Sequence, residues 1–385
     1  MRKMKKSEWG VGVRYEGSKM KEMVFLMMIA VVLVFPSWAA EPNAKQVSVA
    51  ELGQFLTTTH GQSDGNIAKE LVSMALTERV SDAQLVQWQS AVPGRHSREE
   101  LAILADSSAF LDLPATDVLA DPPPDQQAQG AILSSALGYI AQTLTKLPDF
   151  SATRTTVHFE DTPAHTIQVF TPGSMTNWSE HDIAYVPLHQ SRQSSVQFRY
   201  LNGVEMRGSA KMDRSAVSQP ESVLATSGEF GPTLSVVLED AMHGTVDWAY
   251  WQQSPIGKLA VFHYSVTEGH SSYALELEHG VLREKLFPAY HGEIAIDPTT
   301  GAIFHISVVA SFLHSQDIVQ SAIAVNYGSV ALGGKDRICP LKGIALLRTL
   351  VQTSSGSVQQ SQVNETTFTG YHALGGDATT LPAHP

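Results

Sequence analysis

From Ser48 to Leu147 the apolar residues recur at intervals of three and four. Val49, Leu52, Phe55 and Leu56 share one helical face, as do Ile67, Leu71, Met74 and Ala75, and then Leu85 with Trp88. Ser48 with Glu51, Ser81 with Gln84 and Ser97 with Glu100 have the spacing of capping boxes, in which the serine hydroxyl takes an orphan amide and the longer side chain reaches back. Breaks at His60–Gly65 and at Val92-Pro93-Gly94 predict short connections between antiparallel helices. Pro122-Pro123-Pro124 predicts a rigid linker. Beyond it, Asp125 to Leu147 carries Ile132, Leu133, Ala136, Leu137, Ile140, Leu144 and Leu147, a long amphipathic helix that ends before Pro148.

From about Phe150 the period changes to two. Segments 154–160, 166–170, 195–200, 245–251, 258–264 and 303–309 are β-branched and aromatic, with Gly, Pro, Asp and Ser at their borders, and their close spacing predicts an antiparallel sheet. The clearest hairpin is Ile294 to Phe304, where Pro298 presets a turn φ and Gly301 can supply a positive one. One helix interrupts the strands: Gly231-Pro232 opens it, Leu234, Val237, Leu238 and Ala241 line one face, and Gly244 stops it. After about Gly333 the pattern fades, and the Ser, Gln, Thr and Gly of Thr353 to Gln362 and of Gly375 to Pro385 predict little burial. The fold class expected is α+β, with a helical domain over 41–148, an antiparallel sheet domain with one or two packed helices over 149–332, and a poorly ordered segment over 333–385.

A third pattern precedes both. Val24 to Phe35 is an unbroken apolar run flanked by Lys19 and Lys21 and followed by Pro36, with small residues at Ser37 and Ala39, which predicts a cleavable signal peptide over 1–40. The run is shorter than the ~20 residues a spanning helix needs, so no membrane span is expected after cleavage. Met20 and Met23 would each start a signal of more ordinary length, and Met20 is the preferred start. The destination expected is periplasmic or secreted. Residues 1–40 hold seven Lys/Arg and three Asp/Glu, leaving 19 basic against 35 acidic residues in the rest. With no basic run, this balance argues against a nucleic-acid partner. Cys339 is the only cysteine, so no intramolecular disulfide can form, and its apolar neighbours predict a buried thiol.

Chemistry is harder to find. The fifteen histidines are scattered, without a His-Glu-x-x-His pair on one helical face, and no metal or cofactor is expected. His158-Phe159-Glu160 and His291-Gly292-Glu293 match half of a zinc deaminase signature whose cysteine half is missing. His263 and His305 alternate with apolar neighbours, which assigns them to a solvated face. Glu160-Asp161 and Glu239-Asp240 are expected to be solvated at element ends. Gly269 to Tyr273 lacks the second glycine of a nucleophile elbow, so a hydrolase would need Ser271 or Ser272 within ~3 Å of a histidine. No catalytic residue is assigned. In Trp248-Ala249-Tyr250-Trp251, strict alternation places Trp248 with Tyr250 on one face and Trp251 on the other.

The hairpin Tyr290 to Ile303, the succession of long strands and the helix between strands resemble exported sheet proteins of the outer-membrane lipoprotein carrier type, the LolA, LolB and RseB group, over about residues 150 to 330. Thr153 to Thr156, Phe159 to Pro163, Gly228 to Gly231 and Gly292 to Asp297 resemble a group of uncharacterised exported bacterial proteins. The carrier resemblance implies a curved, half-barrel-like antiparallel sheet closed by helices over an apolar cavity for an acyl chain or peptide. The function expected is therefore a non-enzymatic binding protein with Phe159, Phe170, Phe198, Tyr200, Trp248, Phe262, Tyr264 and Phe304 as candidate cavity wall. The alternative is a structural or protein-interaction module of the cell envelope. The partners are accordingly a hydrophobic ligand or an envelope protein.

Overall fold

The computed structural model describes residues 44–143, 147–170, 178–207, 224, 229, 232–279, 282–312, 318–353 and 356–374. The expected signal peptide and the tail 375–385 lie outside the described residues. From Lys45 on the chain forms one compact unit.

The N-terminal layer has its own core. Helices α1 (Val49–Thr58), α2 (Asp64–Val72), α3 (Asp82–Ala91) and α4 (Arg95–Ser107) bury Leu52, Ile67, Leu71, Leu85 and Leu101 against one another. Two of the three expected capping boxes are present. The Glu51 amide donates to Ser48 Oγ at 3.2 Å while Glu51 Oε2 accepts the Ser48 amide at 2.7 Å, and Ser81 with Gln84 repeats the exchange at α3. The third differs. Helix α4 begins three residues earlier than expected, at Arg95, so Ser97 is inside it, and the orphan amides of His96 and Ser97 donate instead to the Asp64 carboxylate of α2 at 3.0 and 2.8 Å. The Ser97 hydroxyl, which donates to Asp64 Oδ1 at 2.6 Å, and then these amides hold the Asp64 carboxyl well below its ordinary range. The helical face assigned to Ile67 through Ala75 also ends early. Met74–Leu76 is strand β2, paired in parallel with β1 (Lys45–Val47).

The sheet has eleven antiparallel strands and is not closed. Its order is β3 (Val118–Leu119), β9 (Thr245–Ser254), β10 (Gly257–Val266), β13 (Tyr290–Ile296), β14 (Ile303–Ser311), β15 (Ile318–Leu332), β16 (Lys335–Thr353), β17 (Gly356–Ala373), β4 (Phe150–Thr162), β7 (Val186–Leu201) and β8 (Val204–Arg207). Both edges are short strands, which limits the unpaired backbone they offer. Two hairpins form separate two-stranded sheets, β5 (His165–Phe170) with β6 (Trp178–Ile183) and β11 (Leu275–His279) with β12 (Leu282–Leu286).

The expectation of a poorly ordered segment after Gly333 is corrected. Strands β16 and β17 lie inside the sheet, β17 pairing with β16 from Lys342↔Thr367 to Thr353↔Gly356 and with β4 from Gln362↔Glu160 to Ala373↔Phe150. Composition misled because it counts apolar burial, whereas these polar residues are ordered by ladder hydrogen bonds and flanking strands.

Helices α5 (Gln126–Thr143) and α6 (Pro232–Ala241) cover one face, called inner here. Ile132, Ala136, Ile140, Leu234, Val237 and Leu238 pack there on Phe262, Tyr264, Ile294, Ile306, Val325 and Tyr327. The hairpin turn forms as expected, with Gly301 at φ +74°, and abuts the Ser135 carbonyl of α5. The proline linker is tied to the sheet edge: the Trp251 indole donates to the Pro122 carbonyl at 3.0 Å, and Lys258 meets Asp121 at 2.9 Å. The alternation expected for Trp248 to Trp251 is broken by a register shift opposite Val261/Phe262. Trp248 and Trp251 therefore meet edge to face on the inner side, 4.8 Å between centroids, and Tyr250 turns outward.

Gly292 fixes how closely β13 approaches β14. A Cβ there would overlap the Ser307 carbonyl oxygen and come within 2.9 Å of the Tyr264 hydroxyl, which donates to that same carbonyl. Gly292→Ala is expected to cost about 3 kcal/mol or more, read as a fall in the urea midpoint at unchanged m-value.

Candidate functional site

The outer face of the sheet meets the N-terminal layer through charge. Arg79, in the connection between β2 and α3, has a side chain 11% exposed, and its Nη2 donates to Glu293 Oε2 on β13 at 2.8 Å and to the Tyr250 hydroxyl on β9 at 3.2 Å. Glu293 Oε1 accepts from Tyr250 at 3.0 Å and lies 3.1 Å from His263 Nε2 on β10. Register explains the convergence, since His263 and Glu293 are directly opposed across β10 and β13 and both point away from the apolar inner face. The next strand extends the network. Arg79 Nη1 lies 3.4 Å from His305 Nε2, His305 Nδ1 is 2.6 Å from Asn326 Oδ1, and Asn326 Nδ2 donates to Asp82 Oδ2 at 2.9 Å. Because guanidinium is only a donor, His305 accepts at Nε2 and carries its proton on Nδ1.

Burial alone would raise the Glu293 carboxyl, but Arg79, His263 and His305 outweigh it and hold it well below the usual range. Its contribution is therefore present above the ordinary carboxylate pKa and lost as pH falls through the lowered value. The hydrogen bond that His263 donates to Glu293 raises His263, whereas burial and then the Arg79 charge lower His305. The two histidines thus favour opposite states: His263 stabilises as the cation at low pH, and His305 as the neutral ring at higher pH.

A second junction lies along α4. Lys342 on β16 reaches Asp106 Oδ1 at 2.6 Å and Glu365 Oε2 on β17 at 3.6 Å, and the Asp106 side chain is 1% exposed. Burial, against Lys342 and with Glu365, raises the Asp106 carboxyl well above its ordinary value, while Asp106 and Lys342 lower Glu365 against burial. Asp106 and Glu365 thus share the single Lys342 cation, and the more buried Asp106 is the weaker acid of the two. Nearby, burial and then Glu99 push Glu100 up to about 7, with His189 and His96 opposing.

The expected cavity wall does not come together. Phe262, Tyr264 and the partly buried Trp248 belong to the inner core under α5 and α6. Phe198 and Tyr200 pack with Phe150 and Phe368 in a second cluster, Phe304 borders a third on the outer face with Leu259, Val261 and Ala295, and Phe159 is buried opposite Val363. Phe170 sits on β5 in its own two-stranded sheet. A void between the inner face and the helices, lined by residues including Ile140, Leu234, Ile303 and Tyr327, is ≈20 Å³. A groove of ≈350 Å³ opens outward between α5 and α6, along Leu137, Ile140, Ala141, Leu238 and Met242.

Other expectations change. His263 and His305 do face away from the core, as alternation requires, but the N-terminal layer covers that face and enlists both. Asp161 and Asp240 are buried: Asp161 accepts the Ser361 amide at 2.8 Å, and Asp240 accepts the Tyr290 hydroxyl at 2.7 Å and the Ser272 amide at 2.6 Å. Neither Ser271 nor Ser272 has a hydrogen-bonded histidine among the described residues, so no nucleophile and base are assembled there. Burial pushes the Cys339 thiol up to about 11, which suits an unreactive core residue. No helix among the described residues is long and apolar enough to cross a membrane. Asp112, His263 and Glu293 place one ligand-type atom each within 4.8 Å of one another, the only such group of three or more among the described residues.

No protein-family model, no curated protein and no solved structure matches this chain.

Two outcomes follow from the charges. Arg79→Met leaves Glu293 buried without its cation and is expected to cost about 3–5 kcal/mol in denaturant unfolding at neutral pH, whereas Arg79→Met with Glu293→Met should lose less than half of that. For Glu100 the folded pKa lies above the unfolded one, so the native state binds the extra proton and stability falls as pH rises from about 4.5 to about 7. Glu100→Gln should therefore stabilise by about 1–2 kcal/mol at about pH 8.5 and leave stability unchanged at about pH 4, checked by paired melts.

Proposed function

We propose that the protein is an extracytoplasmic, non-enzymatic interaction module, which presents an acidic surface to another protein of the cell envelope and uses its sheet as a packed core. The observation that carries this reading is the filled inner face: α5 and α6 interlock with the sheet and leave a void of ≈20 Å³, less than the several hundred Å³ of a typical ligand pocket. The division of seven of the eight candidate wall residues among separate packing environments supports it. So does the excess of acidic residues after position 40, which favours a partner with a basic face. Export rests on the apolar run 24–35 and its flanks.

One observation favours a carrier-like alternative. The α5–α6 groove is mostly apolar with Ser235, Glu239 and His243 also along it, and at ≈350 Å³ it falls within the range of small-ligand sites. An acyl chain or extended peptide would lie there, over the sheet rather than against it. Native mass spectrometry of protein purified without detergent, with organic extraction of the same sample, separates the two. The bare polypeptide mass is expected. A stoichiometric extractable lipid or peptide would overturn the module reading in favour of the carrier.

A further inference from the structure

The outer seam contains a site that the interaction reading does not use. Asp112 comes from the segment after α4, where its carbonyl accepts the Arg79 amide at 2.8 Å, while His263 and Glu293 come from adjacent strands of the sheet. Their ligand atoms, one from each, lie within 4.8 Å of one another. We propose that Asp112, His263 and Glu293 bind a divalent first-row transition metal of the zinc type, which staples the N-terminal layer to the sheet.

The donor set fits that class. One imidazole nitrogen and two carboxylate oxygens are borderline ligands suited to zinc and its neighbours, and three protein ligands leave a fourth position for water. Access is open on one side, since the His263 side chain is 51% exposed and Asp112 is exposed, while Glu293 at 10% anchors the site from below. The surroundings already divide the two Glu293 oxygens: Oε2 is taken by Arg79, whereas Oε1 faces Tyr250 and His263. A metal on Oε1 would replace the proton shared with His263 Nε2 and leave the Arg79 bond in place as an orienting partner. Asp112 and Glu293 together carry two negative charges against the one of Arg79, so the added cation is not repelled by the site as a whole. The physical benefit is specific to this chain. With one cysteine it has no disulfide to join its separate cores, and a metal bound only by the docked layers stabilises the docked state by mass action.

The test uses the whole protein, stripped with EDTA and dialysed. Zn²⁺ is titrated by calorimetry, the bound metal is counted by elemental mass spectrometry, and Co²⁺ is added separately for its ligand-field spectrum. One equivalent per chain, a melting temperature raised by several degrees at saturating Zn²⁺, and tetrahedral Co²⁺ bands are expected. His263→Ala and Asp112→Ala, both at exposed positions, should each weaken binding at least about tenfold and abolish the thermal shift. His96→Ala, at an exposed histidine paired with Asp64 elsewhere, should leave both unchanged. Less than one equivalent bound, or Zn²⁺ affinity and thermal shift retained in His263→Ala, would overturn the site.

Discussion

An open sheet of eleven strands has two faces to cover, and the rest of this structure depends on covering them by different means. The inner face is apolar and takes two helices by ordinary burial. The outer face carries the apolar Leu259, Val261 and Ala295 but also Glu293, His263, His305, Asn326, Lys342 and Glu365 at positions fixed by strand alternation, and the layer that covers these polar groups has to bring them partners. Arg79, Asp82 and Asp106 are these partners, two of them within four residues of each other and the third at the end of α4. The N-terminal layer thus has its own apolar core, and polar pairs tie it to the charged part of the sheet.

Sheet continuity imposes a second dependence. Strands β3, β9, β10, β13, β14 and β15 and strands β4, β7 and β8 are two antiparallel sets that β16 and β17 join in the strand order. The last described strands of the chain thereby join its first long strand to the rest, which makes the pairing of highest sequence separation also the one that makes a single sheet. Lys342 and Glu365 of the second charged junction lie on these joining strands, so the docking of α4 and the completion of the sheet occupy the same place. Native topology of this kind folds slowly, because distant segments must meet before either is stabilised.

Much of the fold was legible in the residues. The change of period near Phe150, the capping boxes at Ser48 and Ser81, the helix opened by Pro232 and the turn closed by Gly301 each rest on local chemistry that tertiary packing left undisturbed. Ser97 shows where local reasoning stops, since an aspartate thirty-three residues away took over the cap. The bulge at Ala249 and the order within β17 depend on neighbouring strands, and no window of sequence contains them. The seam was legible only in halves. Alternation correctly turned His263 and His305 away from the core, but nothing in the chain's pattern says that a second layer covers that side. Arg79, in the five-residue connection Thr77–Ser81 between elements, carried no signal of its own. The nearest available clue was His291-Gly292-Glu293, where a carboxylate stands among β-branched residues on the strand beside His263.

A buried ion pair such as Arg79 with Glu293 is weak evidence for stability, because desolvation of both charges offsets most of their attraction. Its stronger consequence is positional. Two apolar faces tolerate sliding, whereas Glu293 is satisfied only when Arg79 and Tyr250 converge on it, and His305 accepts from Arg79 at Nε2 only if Asn326 Oδ1 accepts its Nδ1–H and Asn326 Nδ2 in turn donates to Asp82. Each displaced arrangement would leave at least one buried polar group without a partner, at a cost of about 1–3 kcal/mol. The seam therefore selects one docking of the two layers from the many that apolar contact would permit, and in a chain without a disulfide that selection rests on side-chain hydrogen bonds.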